Sequence, residues 1–77
     1  MEPAEAFGSV LRRRRLAASL TQEKLGANAD IERVQISWLE GGRHLPTLQT
    51  TFKLARALGC KASELIAEAE ALMTDGP

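Results

Sequence analysis

The most constraining feature of this chain is a pair of helical patterns separated by only three residues. Thr21 followed by Gln22 and Glu23 favours a helix start, because a threonine oxygen accepts a hydrogen bond from an otherwise unpaired amide one turn later. A second helical pattern begins at Glu32, after the turn of residues 29–31. Two helices joined by so short a turn cross at a steep angle, so the second one can protrude from the domain.

Apolar residues recur at helical spacing through the rest of the chain, and no strand pattern is present. In the predicted helix over residues 32–40 we expect Ile36 and Leu39 to face inward. In the predicted helix over residues 48–58 the expected inward stripe consists of Leu48, Phe52, Ala55 and Leu58. The predicted helices cover residues 4–18, 22–28, 32–40, 48–58 and 62–73. The predicted fold class is all-α, with five short helices around one core.

A chain of 77 residues fits a single domain that has little room for an enclosed substrate cavity. Its one cysteine, Cys60, has no partner for an internal disulfide, and its one histidine, His44, cannot build a zinc cluster. The sequence offers no combination of serine, histidine and acidic residue that can be assigned to a catalytic triad. It also has no glycine-rich phosphate-binding loop. We therefore predict a protein that is not an enzyme and that has no cofactor and no metal.

The charges are unevenly distributed although the formal net charge is zero. Residues 6–61 contain all ten basic residues but only four of the ten acidic ones, and the other acidic residues lie towards the two ends. A basic middle is compatible with a nucleic-acid partner and does not prove one. No apolar run approaches the roughly 20 residues of a membrane span. We expect a soluble, cytoplasmic protein with no membrane contact.

Several residues at fixed spacing carry a family resemblance. They are Thr21, Gln22, Glu23, Leu25, Ile36, Leu39, Glu40, Gly42, Pro46 and the run from Leu54 to Gly59. In combination they are similar to the helix-turn-helix family of Cro and the phage repressors, the XRE type, over roughly residues 7–66. The resemblance implies a lambda-repressor-like domain with its DNA-binding core at 7–66. Residues 67–77 would then form an extension of the last helix with a frayed end.

The outward side of helix 3 supplies the candidate base contacts. If Ile36 and Leu39 are buried, a period of about 3.6 residues puts the opposite residues near the solvent side. These are Arg33, Val34, Ser37 and Trp38. The resemblance implies base contacts in the first turn, where an arginine can bind guanine and a valine can meet a thymine methyl. Ser37 and Trp38 would lie one turn later, at the edge of the groove.

Other interpretations of these residues remain open. Arg33 could be a solvated charge paired with Glu32 or Asp30. Trp38 could be half-buried core, and Val34 could simply cover the turn.

Candidate phosphate contacts flank the two helices. Gln22 lies at the start of helix 2, where free N–H groups and the positive end of the helix dipole favour an anion. The resemblance supports the same role for Gln35, Arg43 and His44. Ordinary solvation is the alternative for each of the four.

The resemblance also implies a structural ion pair between Arg15 and Glu40, which would tie helix 1 to the end of helix 3. Arg14 would bury its stem and extend its head to water. Two departures from the family pattern concern the turn region. Gly26 replaces the usual alanine, and Asp30 occupies a turn position that normally holds glycine.

The resemblance points to a sequence-specific DNA-binding transcriptional regulator, such as a repressor or autoregulator of the controller or antitoxin kind. A single recognition helix covers little surface, so we expect a homodimer on a palindromic operator, with no small-molecule effector evident. The expected dimer interface is the apolar stripe Leu65, Ile66, Ala69, Leu72 and Met73, although core packing is an equal alternative for Leu65 and Ile66. A protein-interaction module with the same fold is the alternative function.

Overall fold

The computed structural model describes residues 1–74, which form five α-helices. They are α1 (Pro3–Ala17), α2 (Gln22–Ala29), α3 (Arg33–Glu40), α4 (Leu48–Leu58) and α5 (Ala62–Thr74). The prediction of an all-α fold with five short helices is confirmed. Residues 75–77, where a frayed end was expected, lie outside the described part of the chain.

Local hydrogen bonds explain where α2 and α4 begin. The hydroxyl oxygen of Thr21 accepts a hydrogen bond from the Lys24 N–H at 3.0 Å, and that of Thr47 accepts one from the Thr50 N–H at 3.0 Å. Between α2 and α3 the chain reverses through Asp30, whose φ of 58° and ψ of 48° place it in the left-handed region. Aspartate tolerates this region better than most residues, so the turn forms without a glycine.

All five helices contribute residues to one hydrophobic core. α1 packs against α3 and α5, and α2 packs against α3 and α4. Seven large side chains are almost completely buried at the centre: Val10, Leu11, Leu25, Ile36, Leu39, Leu54 and Leu65. Because Ile36 and Leu39 belong to this set, α3 is fixed to the core along one side only.

The predicted inward stripe of α4 is wrong in two positions. Leu48 is 66% exposed and Phe52 is 57% exposed, whereas Thr51 and Leu54 are buried. Thr51 can be buried because its hydroxyl donates to the Thr47 carbonyl at 2.9 Å, which satisfies its polar group within the helix. A helix that turns about 100° per residue then directs Phe52 away from the core.

The junction of α2 and α3 requires a close approach of two backbone segments. The Ile31 N–H donates to the Gly26 carbonyl at 2.8 Å. A β-carbon at position 26 would lie 2.5 Å from the Ile31 carbonyl oxygen. Gly26 is therefore needed for this tight turn. The clash that a β-carbon would cause outweighs the low helix propensity of glycine.

Candidate nucleic-acid interface

One side of α3 faces away from the core and is called the reading face, defined as Arg33, Val34, Ser37 and Trp38. Arg33 is exposed, Val34 is 41% exposed, Trp38 is 40% exposed and Ser37 is partly exposed. The opposite side of the helix holds the buried Ile36 and Leu39. The structure thus brings the four predicted base-contact residues together on one exposed surface.

Arg33 and Trp38 keep their functional groups available. Arg33 forms no ion pair with Glu32, with Asp30 or with any other residue from 1 to 74. Trp38 packs edge-on against His44, with ring centroids 5.3 Å apart and an angle of 65° between the rings. This contact places the loop after α3 beside the reading face.

An open groove of about 450 Å³ runs between α3 and this loop. Its lining mixes apolar and polar side chains: Glu32, Val34, Gln35, Trp38, Leu39, His44 and Leu45. The groove therefore borders two reading-face residues on one side and the loop on the other. The groove is open to solvent, so it suits contact with an extended partner and does not enclose a small ligand.

The four residues predicted to contact phosphates lie around the reading face and differ in their exposure. Gln35, Arg43 and His44 are exposed on α3 and in the following loop. Gln22 is partly buried at the start of α2, and its Nε2 donates to Glu40 Oε1 at 3.1 Å. Sequence reasoning missed this bond, because no local pattern links residues on two different helices.

The ion pair that the resemblance implies is present between Arg15 and Glu40. Arg15 Nε donates to Glu40 Oε2 at 2.6 Å, and Arg15 Nη2 donates to Glu40 Oε1 at 3.0 Å. Arg15 Nη1 also donates to the Leu20 carbonyl at 2.8 Å. The hydrogen bonds to Glu40 raise the pKa of Arg15 above its ordinary value. These contacts tie α1 to the C-terminal end of α3 and so fix the tilt of the reading face.

A second ion cluster joins α1 to α5. The Arg14 guanidinium binds the Glu68 carboxylate through two nitrogens, with Nε at 3.1 Å from Oε2, and Arg13 Nη2 lies 3.3 Å from Glu68 Oε1. The hydrogen bond from Arg14 is the main cause that lowers the pKa of Glu68. The Arg14 side chain remains 29% exposed, in line with a head that reaches water, but its pairing with Glu68 on α5 was not predicted.

The predicted interface stripe of α5 is divided between core and surface. Leu65 is fully buried and Ala69 is 6% exposed, so their assignment to a dimer interface is wrong. They belong to the protomer's own hydrophobic core, to which α1 also contributes. Ile66 is 42% exposed, Met73 is 39% exposed and Leu72 is partly buried.

Comparison with known proteins identifies the family. A family model described as a helix-turn-helix domain matches residues 6–69. The chain belongs to the helix-turn-helix family. The match covers the turn, both helices of the motif and most of the helices that support them, and it confirms the resemblance to the XRE type.

Three relatives of this helix-turn-helix protein are informative. The uncharacterized HTH-type transcriptional regulator y4dJ of Sinorhizobium fredii is 38% identical over 66 residues, which are 86% of each chain. The clp gene regulator ClgR of Corynebacterium glutamicum has a TM-score of 0.89 at 26% identity, over 95% of this chain and 78% of that one. The restriction-modification controller protein C.AhdI of Aeromonas hydrophila has a TM-score of 0.81 at 32% identity, over 84% of this chain and 98% of that one.

The comparisons also establish the general class of this helix-turn-helix protein. Its relatives are transcriptional regulators and not enzymes, and it is a DNA-binding transcriptional regulator of the XRE type. Within residues 1–74, no group of side chains has the composition of a metal site. No helix in the same range has the length and apolar character needed to cross a bilayer.

Proposed function

We propose that this regulator binds a palindromic operator as a homodimer, with α3 of each protomer in the major groove of one half-site. The observation that carries the proposal is the reading face itself. Arg33, Val34 and Trp38 are exposed side by side on a helix whose opposite side is completely buried. A helix held in this way can enter the groove without any rearrangement of the core.

The side chains of the reading face suit base edges. The Arg33 guanidinium, which no carboxylate engages within residues 1–74, can donate two hydrogen bonds to guanine O6 and N7. The Val34 methyl groups can meet a thymine methyl, while Ser37 and Trp38 lie towards the edge of the groove. Around them, Gln22, Gln35, Arg43 and His44 would donate to backbone phosphates, which orient the protein but carry no sequence information.

The surface also offers apolar area for a second copy of the chain. Ile66 and Met73 are exposed on α5, and Leu48 and Phe52 are exposed on α4, which packs against α5. Large contiguous apolar patches on a protein surface mark interaction sites, whereas single exposed apolar side chains are ordinary. We assign them to the dimer interface, because two recognition helices provide the area and the two-fold symmetry that a palindromic operator requires.

Regulation would follow from occupancy of the operator, as in a repressor or an autoregulator. The likeness to the restriction-modification controller C.AhdI supports the controller form of this proposal. The alternative is a protein-interaction module, which the exposed apolar Val34 and Trp38 favour.

A titration against a labelled random-sequence duplex at two salt concentrations separates the two functions. Phosphate contacts release counterions, so the DNA affinity of a regulator should fall steeply between about 50 and 200 mM salt. Absence of duplex binding at the lower salt concentration would contradict the proposal and favour the interaction module.

A further inference from the structure

The Glu40 carboxylate is shared by side chains from two other helices. Its Oε1 accepts hydrogen bonds from Arg15 Nη2 at 3.0 Å and from Gln22 Nε2 at 3.1 Å, while its Oε2 accepts one from Arg15 Nε at 2.6 Å. The Glu40 side chain is only 5% exposed. The group that fixes α1 to α3 therefore also restrains the side chain at the start of α2.

The chemistry of this contact dictates the orientation of the Gln22 amide. An ionised carboxylate can only accept hydrogen bonds, so the amide must turn its NH₂ group, and not its oxygen, towards Glu40. That nitrogen carries two hydrogens, of which Glu40 takes one. The second one remains for another acceptor.

The N-terminal end of α2 adds further hydrogen-bond donors beside the Gln22 side chain. The Thr21 hydroxyl oxygen is bonded to the Lys24 N–H, and the N–H groups of Gln22 and Glu23 have no partner among residues 1–74. The helix dipole adds partial positive charge there. The restrained side-chain amide and the free backbone donors of the first turn are thus close together.

We propose that Glu40 is a positioning residue for DNA binding, which holds the Gln22 amide in the orientation that donates to a backbone phosphate. The proposal rests on the proposed function, because it presumes that the phosphate belongs to bound DNA. A side chain that is already ordered loses less conformational entropy on binding. This smaller loss should raise the affinity for DNA about two- to tenfold.

The first test measures whether Gln22 is ordered before DNA binds. In ¹⁵N relaxation of side-chain amides in the free full chain, Gln22 should have an order parameter near that of rigid backbone, about 0.85. Gln35 and Gln49 are the matched controls, since both are exposed and neither side chain forms a hydrogen bond within residues 1–74. They should fall below about 0.6. A Gln22 amide as mobile as the controls would overturn the proposal.

The second test is a double-mutant cycle on a duplex selected by the wild-type protein from a random pool. Gln22→Ala and Glu40→Gln should each weaken binding about two- to tenfold, and the double variant should bind hardly more weakly than Gln22→Ala alone. Glu40→Gln removes a negative charge, which by itself would strengthen DNA binding, so a loss of affinity cannot be a simple charge effect. Additive losses would show that Glu40 acts independently of Gln22 and would overturn the proposal.

The outcomes also distinguish this proposal from the one on which it rests. If the wild type binds the duplex and Gln22→Ala binds equally well, the positioning role and the Gln22 phosphate contact are overturned, while operator binding through α3 stands. If the wild type binds no duplex at low salt, the proposed function itself fails. Should Glu40→Gln not fold, the relaxation comparison on the wild-type chain still decides the question.

Discussion

Arg15 Nε lies 2.6 Å from Glu40 Oε2, and the two side chains are only 10% and 5% exposed. The pair joins the last turn of α1 to the C-terminal end of α3. A buried ion pair adds little net stability over apolar residues of similar volume, but the loss of one partner leaves an uncompensated buried charge. The orientation of α3 therefore depends on both residues being present.

Arg15→Leu should destabilise the protein by about 3 to 5 kcal/mol, because Glu40 would stay buried without its partner. Urea denaturation followed by circular dichroism measures this change in the free energy of unfolding. Arg12→Leu is the matched control, since Arg12 is exposed on the same helix and forms no ion pair within residues 1–74. The control should change stability by no more than about 0.5 kcal/mol. Equal effects of the two variants would contradict the structural role of the pair.

The pairing of Glu68 with Arg14 predicts a contribution to acid stability. The hydrogen bond from Arg14 lowers the pKa of Glu68 below its ordinary value of 4.5 in the folded state. The ionised carboxylate therefore stabilises the fold above that pH, and the stabilisation is lost as the pH falls through the lowered pKa. The wild type should be more stable than Glu68→Gln at neutral pH, and the difference should shrink below about pH 4. A difference that stays constant from pH 7 to about pH 3 would contradict this assignment.

Gly26→Ala should destabilise the protein although alanine is the better helix former. The gain in helix propensity is about 1 kcal/mol, whereas the added methyl group would lie 2.5 Å from the Ile31 carbonyl oxygen. Overpacking of this kind costs about 1 to 3 kcal/mol, so the clash should dominate. Asn28→Ala is the control, because Asn28 is exposed on the same helix and should gain stability from propensity alone. A more stable Gly26→Ala variant would contradict the tight turn.

Phe52→Glu should shift the protein from dimer to monomer, because it would place a charge in the proposed apolar interface. Sedimentation equilibrium across a range of protein concentrations measures the dissociation constant. Leu16→Glu is the control, since Leu16 on α1 is 54% exposed and Phe52 is 57% exposed. The control should leave the dissociation constant unchanged. A wild type that is monomeric at all concentrations, or a control that dissociates equally, would contradict the interface.

The helices and their boundaries were predictable because their signals are local. Thr21 and Thr47 cap the helices that follow them, and Asp30 reverses the chain where the pattern placed a turn. The orientation of a helix about its own axis was less predictable. In α4, Leu48 and Phe52 have the size expected of core residues, yet they are exposed and the core-facing residues are Thr51 and Leu54. Periodicity predicts the spacing of a buried stripe, but it does not decide which of two neighbouring stripes on the helix faces the core.

Contacts between side chains far apart in the sequence were the least predictable part of the site. The bonds from Arg14 to Glu68 and from Gln22 to Glu40 depend on how helices pack, and no short motif contains both partners. The Arg15–Glu40 pair was anticipated only through the family resemblance. The reading face was predictable because all its residues lie on one helix, whose buried side was clear from Ile36 and Leu39.

Selection of bound sequences from a random duplex pool, repeated with Arg33→Ala, tests the central claim most directly. If the exposed side of α3 reads bases, the wild type should select a palindromic motif. The variant should then lose the preference for guanine at one position of each half-site, a discrimination worth about 1 to 3 kcal/mol. If Arg33→Ala selects the same motif as the wild type with lower affinity, Arg33 is a backbone contact and does not read a base. If the wild type selects no motif at all, the account of α3 as a recognition helix is contradicted.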